Sequence, residues 1–181
     1  SEKSTMTDLT QYASPVGTIY LAAEDGALTG LWIEGQKYFA ATLDQRQTQQ
    51  RESAPLLAAK HWLDAYFQKA PLPPLPPLAP KGSAFRQEVW KLLLEIPYGK
   101  TTTYGTLAQT LRSRGISAAA QAVGGAVGHN PISIIIPCHR VVGADGSLTG
   151  YAGGVQIKRR LLELEGCQME GLYIPKRGTA L

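Results

Sequence analysis

Cysteine is scarce in this chain: Cys138 and Cys167 are the only two in 181 residues. A secreted domain stapled by disulfides would use more, so the count points to a reducing compartment. No cysteine precedes Cys138, and His61, His129 and His139 lie far apart. Without a Cys/His ligand spacing, no structural metal is expected. Long apolar runs are missing too, since no window approaches the roughly 18 residues that a membrane helix needs. No charged-then-apolar leader opens the sequence, so the expectation is a cytoplasmic protein without a membrane partner. Acidic residues are short in one half only. Residues 1–80 carry six Lys/Arg against eight Asp/Glu, a balance of −2, whereas residues 81–181 carry twelve against six, a balance of +6. That basic half holds Cys138, which suits a polyanionic partner.

Residues 11–33 alternate and turn like a small antiparallel sheet, with strands at 18–23 and 28–33 joined by a hairpin turn at 24–27. Gly17 shapes the turn that feeds the first of these strands. Residues 36–50 are polar and read as a weakly amphipathic helix. Residues 55–67 read as a stronger one, because Leu56, Leu57, Ala59, Leu63, Tyr66 and Phe67 fall at helical spacing. His61 on that helix reads as a surface residue. Pro71, Pro73, Pro74, Pro76, Pro77 and Pro80 then exclude helix and favour an extended linker. Composition thus predicts an N-terminal α/β domain of structural role at 6–70, a proline-rich linker at 71–82 and a C-terminal domain at 83–181.

In the C-terminal part, Ser83 is placed to cap a helix whose apolar stripe is Phe85, Val89, Trp90, Leu92, Leu93 and Ile96. Pro97, Tyr98 and Gly99 end it as a turn. A short helix beginning near Thr102, a tight turn at 112–115 and a second helix at 118–128 capped by Ser117 together read as a helix-turn-helix. The second helix contains Gly124 and Gly125, and each interior glycine costs about 1 kcal/mol relative to alanine. A helix built that way presents a smooth surface for close approach, either by another helix or by a duplex.

Ile134, Ile135 and Ile136 read as the core of a buried strand, and Pro137 ends it so that Cys138 sits where the chain turns. A cysteine in such a place is commonly core. His139 and Arg140, however, set a proton acceptor and a cation beside the sulfur, surroundings that lower a thiol pKa.

The run Pro137-Cys138-His139-Arg140-Val141 resembles the active-site signature of the O6-alkylguanine-DNA alkyltransferases. The resemblance extends over roughly residues 83–166, through Phe85-Arg86-Gln87-Glu88-Val89-Trp90, Ile96-Pro97-Tyr98-Gly99, Ala120-Gln121-Ala122-Val123-Gly124-Gly125, and Thr149 to Gly154. It implies an α/β protein in which a small sheet-plus-helix domain precedes a mainly helical domain with a helix-turn-helix. It also implies stoichiometric transfer of an alkyl group from O6-alkylguanine, and from O4-alkylthymine, in a flipped nucleotide to Cys138. His139 is then the base, Glu165 the acid behind it, and Asn130 the brace of the active-site loop. Tyr104, Val141, Tyr151, Ala152 and Gly153 surround the alkylated base. Thr103, Arg112, Arg114, Ala120, Gln121 and Gly124 face DNA. No cofactor is implied; the partner is double-stranded DNA carrying O6-alkylguanine, met by a monomer. At the position of Gln121 the resemblance calls for an arginine, so weaker DNA affinity is expected there, offset by Arg112 or Arg114. Two other classes fit a cysteine followed by histidine: a cysteine hydrolase, for which no oxyanion hole is evident, and a non-catalytic lesion binder or regulator, which would not need Cys138.

Overall fold

Asp25 and Gly26 turn the chain at φ of 49° and 77°, the left-handed pair that joins two strands with the right twist. The computed structural model describes residues 6–176, and the chain divides into two units, Ser1–Lys81 and Gly82–Leu181. In the first, β1 (Thr7–Ser14), β2 (Gly17–Glu24) and β3 (Ala27–Ile33) form an antiparallel meander. Gly17 sits at φ 115° in the first turn, as its place in the sequence predicts. Ile19, Leu21, Leu31 and Ile33 are buried. Helix α1 (Ala54–Phe67) packs on the sheet and buries Leu56, Ala59, Leu63 and Tyr66, while Leu57, expected inward, is 54% exposed. His61 lies at the surface as expected.

The expected helix at 36–50 does not form. Tyr38 and Ala40 adopt φ of 57° and 55°, a single 3-10 turn spans Gln45–Gln47, and β4 (Thr48–Gln50) pairs in parallel with the open edge of β1. The stretch has no apolar stripe to bury, so pairing with a strand edge outcompetes a helix. The proline-rich stretch is extended and partly docked: Leu28 N donates to Pro77 O at 2.8 Å and Ala79 N to Leu28 O at 2.8 Å.

The second unit opens on α2 (Ala84–Leu93), capped by Ser83, whose hydroxyl accepts from Arg86 N. Next come β5 (Thr102–Thr103), α3 (Tyr104–Ser113), α4 (Ala120–Gly128), β6 (Val141–Val142) and α5 (Val155–Leu164). Helix α4 packs against both α2 and α3, and the Trp90 indole N–H donates to Ala126 O at 2.8 Å. Ser117 is not the cap of α4. That helix starts at Ala120, and the guanidinium of Arg112 holds its approach by donating to Ala118 O. Strands β5 and β6 pair in parallel, tying the segment after Cys138 to the start of the helix-turn-helix. Among the described residues, no helix is long and apolar enough to cross a membrane.

Candidate active site

The three isoleucines form a buried turn and not the expected strand. Ile134 has φ 71°, a left-handed conformation rare for a β-branched residue and worth about 1–3 kcal/mol of strain. The side chain of Asn130 replaces a strand partner here. Its Oδ1 accepts from Ile132 N at 3.0 Å, and its Nδ2 donates to Ile136 O at 2.8 Å and to Cys138 Sγ at 3.1 Å. Pro137 then leads into the 3-10 turn Cys138–Arg140.

Cys138 is 3% exposed and His139 wholly buried. Burial pushes the Cys138 thiol up from its ordinary value, against the opposing pull of the Asn130 amide and the Lys158 charge. The cation acting on the sulfur is therefore Lys158 on α5. Arg140, expected in that role, sends its guanidinium to Glu165. Buried Lys158 donates from Nζ to Val141 O and, at 3.0 Å, to Thr149 O, and burial brings it down to about 8. Below that pH it carries its charge toward the sulfur. Lys158→Met is expected to move the thiolate titration of Cys138 to higher pH, followed by thiolate absorbance, and to slow its reaction about tenfold per unit moved.

His139 Nε2 lies 2.5 Å from Glu165 Oε2. Its Nδ1 is buried with no hydrogen-bond partner among the described residues, so that nitrogen is left to receive a proton. Burial holds the imidazole below its ordinary range, with Glu165 opposing. The neutral, proton-accepting form therefore persists below about pH 6.5. The rate of any step that uses this base should stay level through that pH and fall only further down; a decline starting above it would show a charged ring. Folding stability follows the same sign. The unfolded chain takes up the proton first, so stability is lost as pH drops from about 6.5 toward the lower folded value.

Burial raises the phenols of both Tyr104 and Tyr151, and a thiolate at Cys138 works in the same direction on each. The Tyr104 hydroxyl donates to Thr149 O at 2.9 Å, and Tyr151 is buried with its ring 6.4 Å from that of His139. Gly150 has φ 87°, and a Cβ there would overlap the Tyr104 hydroxyl, so this loop position requires glycine. Ala152 and Gly153 are half-buried in the same loop, and Val141 is fully buried beside Cys138. Thr103 accepts from Thr106 N as the cap of α3. On the outer face, Ala120, Gln121 and Gly125 are exposed and Gly124 half-buried. A Cβ at Gly124 would come no nearer than 3.9 Å to Tyr104, and one at Gly125 would meet nothing within 4 Å. Packing inside the protein does not demand these glycines.

Arg112 and Arg114 are exposed but engaged. Arg112 donates to Ala118 O, and Arg114 makes a forked pair with Glu95, 3.1 Å on each arm. Sequence reasoning missed Lys158, which on an amphipathic helix reads as a solvated cation. It also missed the contacts from Arg140 and Gly99 that hold Glu165 behind His139.

A buried thiol with an amide donor and a histidine–carboxylate pair, in one unit with a helix-turn-helix, defines a cysteine-centred transfer site on a nucleic-acid-binding scaffold. Residues 84–167 match the family described as 6-O-methylguanine DNA methyltransferase, DNA binding domain, and residues 9–78 match its ribonuclease-like domain. The methylated-DNA–protein-cysteine methyltransferase of Mycobacterium tuberculosis strain H37Rv is 45% identical over 152 residues, 84% of this chain and 88% of that protein. The protein of that name from Methanosarcina acetivorans is 40% identical over 169 residues, 86% of this chain and 96% of its own. Mycobacterium tuberculosis OGT, solved in complex with DNA, superposes with a TM-score of 0.77 at 42% identity over 88% of this chain and 92% of that one. The chain belongs to the 6-O-methylguanine DNA methyltransferase family.

Proposed function

We propose that this protein repairs alkylated duplex DNA by moving the alkyl group from O6-alkylguanine, and from O4-alkylthymine, to Cys138. The observation that carries this is the buried thiol, held by Asn130 at 3.1 Å beside a His139–Glu165 pair at 2.5 Å. Family membership supplies the reaction class, a methylated-DNA–protein-cysteine methyltransferase.

Burial keeps the thiol protonated, so a base must act. His139 Nδ1 takes the proton across a bridging water, and Glu165 stabilises the imidazolium that forms. The thiolate attacks the alkyl carbon in line; the new S–C bond forms as the C–O6 bond breaks, and guanine leaves as an anion that is then protonated. Tyr104 stands beside this leaving group. Val141, Tyr151, Ala152 and Gly153 enclose the base, which must first be rotated from the stack at a cost of a few kcal/mol. A thioether has no route back to a thiol here, so each molecule acts once and needs no cofactor.

The smooth face of α4 is the surface that meets DNA, with Ala120, Gln121 and Gly124 at the groove and Thr103 at the backbone. Arg112 and Arg114 add charge there. The Arg114–Glu95 pair is exposed and solvent-screened, so its guanidinium can exchange a carboxylate for a phosphate. The protein works as a monomer, in the cytoplasm. Methyl transfer from a labelled O6-methylguanine duplex tests the proposal: protein-bound label should plateau at one methyl per chain, whereas label continuing past one would contradict it. Gln121→Arg should tighten duplex binding and steepen the log–log salt dependence by about 0.9 per phosphate reached. An unchanged slope would place position 121 away from the DNA.

A further inference from the structure

Arg140 is buried, and the transfer chemistry above makes no use of it. An arginine that far from water is unusual unless its donors are paired. Here they are. Nε donates to Glu165 Oε1 at 2.8 Å, and Nη1 donates to Ile96 O at 2.7 Å. The Tyr98 ring lies 5.7 Å from the guanidinium carbon and covers it. Glu165 Oε1 also accepts from Gly99 N at 3.1 Å, which leaves Oε2 for His139.

The carboxylate is thus held by at least three contacts. Two are on Oε1, and both trace back to the turn between α2 and β5: Gly99 directly, and Ile96 by way of the guanidinium. The third is the imidazole. A planar fork of fixed geometry spans the end of α5 and that turn, whereas an ammonium on a flexible stem cannot hold both ends in one orientation. The Gly99 N–H anchors Oε1 at one point, and the Arg140 fork adds a second, side-chain anchor on the same oxygen that ties it to the Ile96 carbonyl.

We infer that Arg140 is a positioning residue for alkyl transfer. By bridging Glu165 to the Ile96 carbonyl it fixes the carboxylate so that Oε2, and no other acceptor, meets His139 Nε2 and leaves Nδ1 directed at the thiol proton. The inference rests on the reading of Cys138, His139 and Glu165 as the transferring group. It goes beyond that reading by assigning the orientation of the acid to a residue that touches neither substrate nor sulfur.

Single-turnover kinetics can separate positioning from mere structural support, because the endpoint counts competent molecules while the time constant reads their rate. Arg140→Lys keeps the charge and loses the fork. With the protein in excess over an O6-methylguanine duplex, this variant is expected to transfer about 10- to 100-fold more slowly at saturation. A titration with excess duplex should still end at one methyl per chain, with unchanged half-saturation. In a Glu165→Gln background the same substitution should slow transfer by no more than about twofold further, since both changes act through one contact. A lowered endpoint with an unchanged time constant would mark Arg140 as structural and overturn the inference, as would a full additional loss in the Glu165→Gln background. Wild type run alongside separates the two levels. If it transfers and Arg140→Lys matches it, the inference alone falls; if wild type accepts no methyl, the transfer reading falls and takes the inference with it.

Discussion

Cys138→Ala is expected to bind an O6-methylguanine duplex and to accept no methyl at all. The thiol is the group to which Asn130, Lys158 and, through its histidine, Glu165 are directed. Cys167 is not equipped to replace it: burial raises its thiol to about 11 with the carboxylate of Glu165 working in the same direction, whereas the Asn130 amide that opposes burial is spent on Cys138, so the Cys167 thiolate is scarce at neutral pH. Truncating Cys138 removes one small buried side chain, and the stability loss should be modest, about 1–2 kcal/mol. The duplex-binding face proposed on α4 lies on other residues, so the dissociation constant should stay within a few-fold of wild type in a gel-shift or anisotropy titration. Any protein-bound methyl on this variant would remove Cys138 from the mechanism.

Asn130→Ala should cost stability as well as activity. The amide satisfies Ile132 N and adds bonds to Ile136 O and Cys138 Sγ, all buried and all around the strained Ile134. Removing it orphans the Ile132 N–H, releases the turn from its brace and deletes the donor nearest the sulfur. A loss of about 2–4 kcal/mol in denaturant unfolding is expected, with transfer slowed at least about 100-fold because turn and thiol shift together. Asn130→Asp sharpens the point. It keeps the acceptor for Ile132 N but faces a carboxylate toward Ile136 O and the sulfur, so it should retain more stability than the alanine variant and still transfer poorly. An Asn130→Asp protein with wild-type rate would show that the Nδ2 donor does nothing for the thiolate.

Local rules explain which parts of this structure can be read from sequence. The Asp25-Gly26 hairpin, the Ser83 cap, the Gly99 turn and the amphipathic stripes of α1 and α2 depend on neighbours within a turn or two, and they form where expected. Errors arise where a distant or side-chain partner decides. Residues 36–50 follow the free edge of β1, which no local pattern announces. The isoleucine run reads as strand because β-branched residues favour one, yet the Asn130 side chain satisfies its backbone and permits a left-handed Ile134. Ser117 yields the cap position because Arg112 reaches across to Ala118.

At the site, the segment from Pro137 to Val141 points to the proposed nucleophile and base, and the resemblance supplies Glu165, which the structure places against His139. What the linear order hides is which cation serves which acid. Arg140 adjoins Cys138 in sequence but pairs with Glu165, whereas Lys158, twenty residues on, is the charge that acts on the sulfur. Adjacency along a 3-10 turn does not put two side chains on the same side.

Under the proposed mechanism, Cys138 receives one alkyl group and keeps it. Intact-mass analysis followed by peptide mapping, after mixing the protein with excess duplex containing O6-methylguanine, reads that directly. The expected result is a gain of one methylene per chain, located on Cys138, with no further gain however long the incubation. An unmodified mass from reduced protein that demonstrably binds the duplex, or a methylene on any other residue, would contradict it.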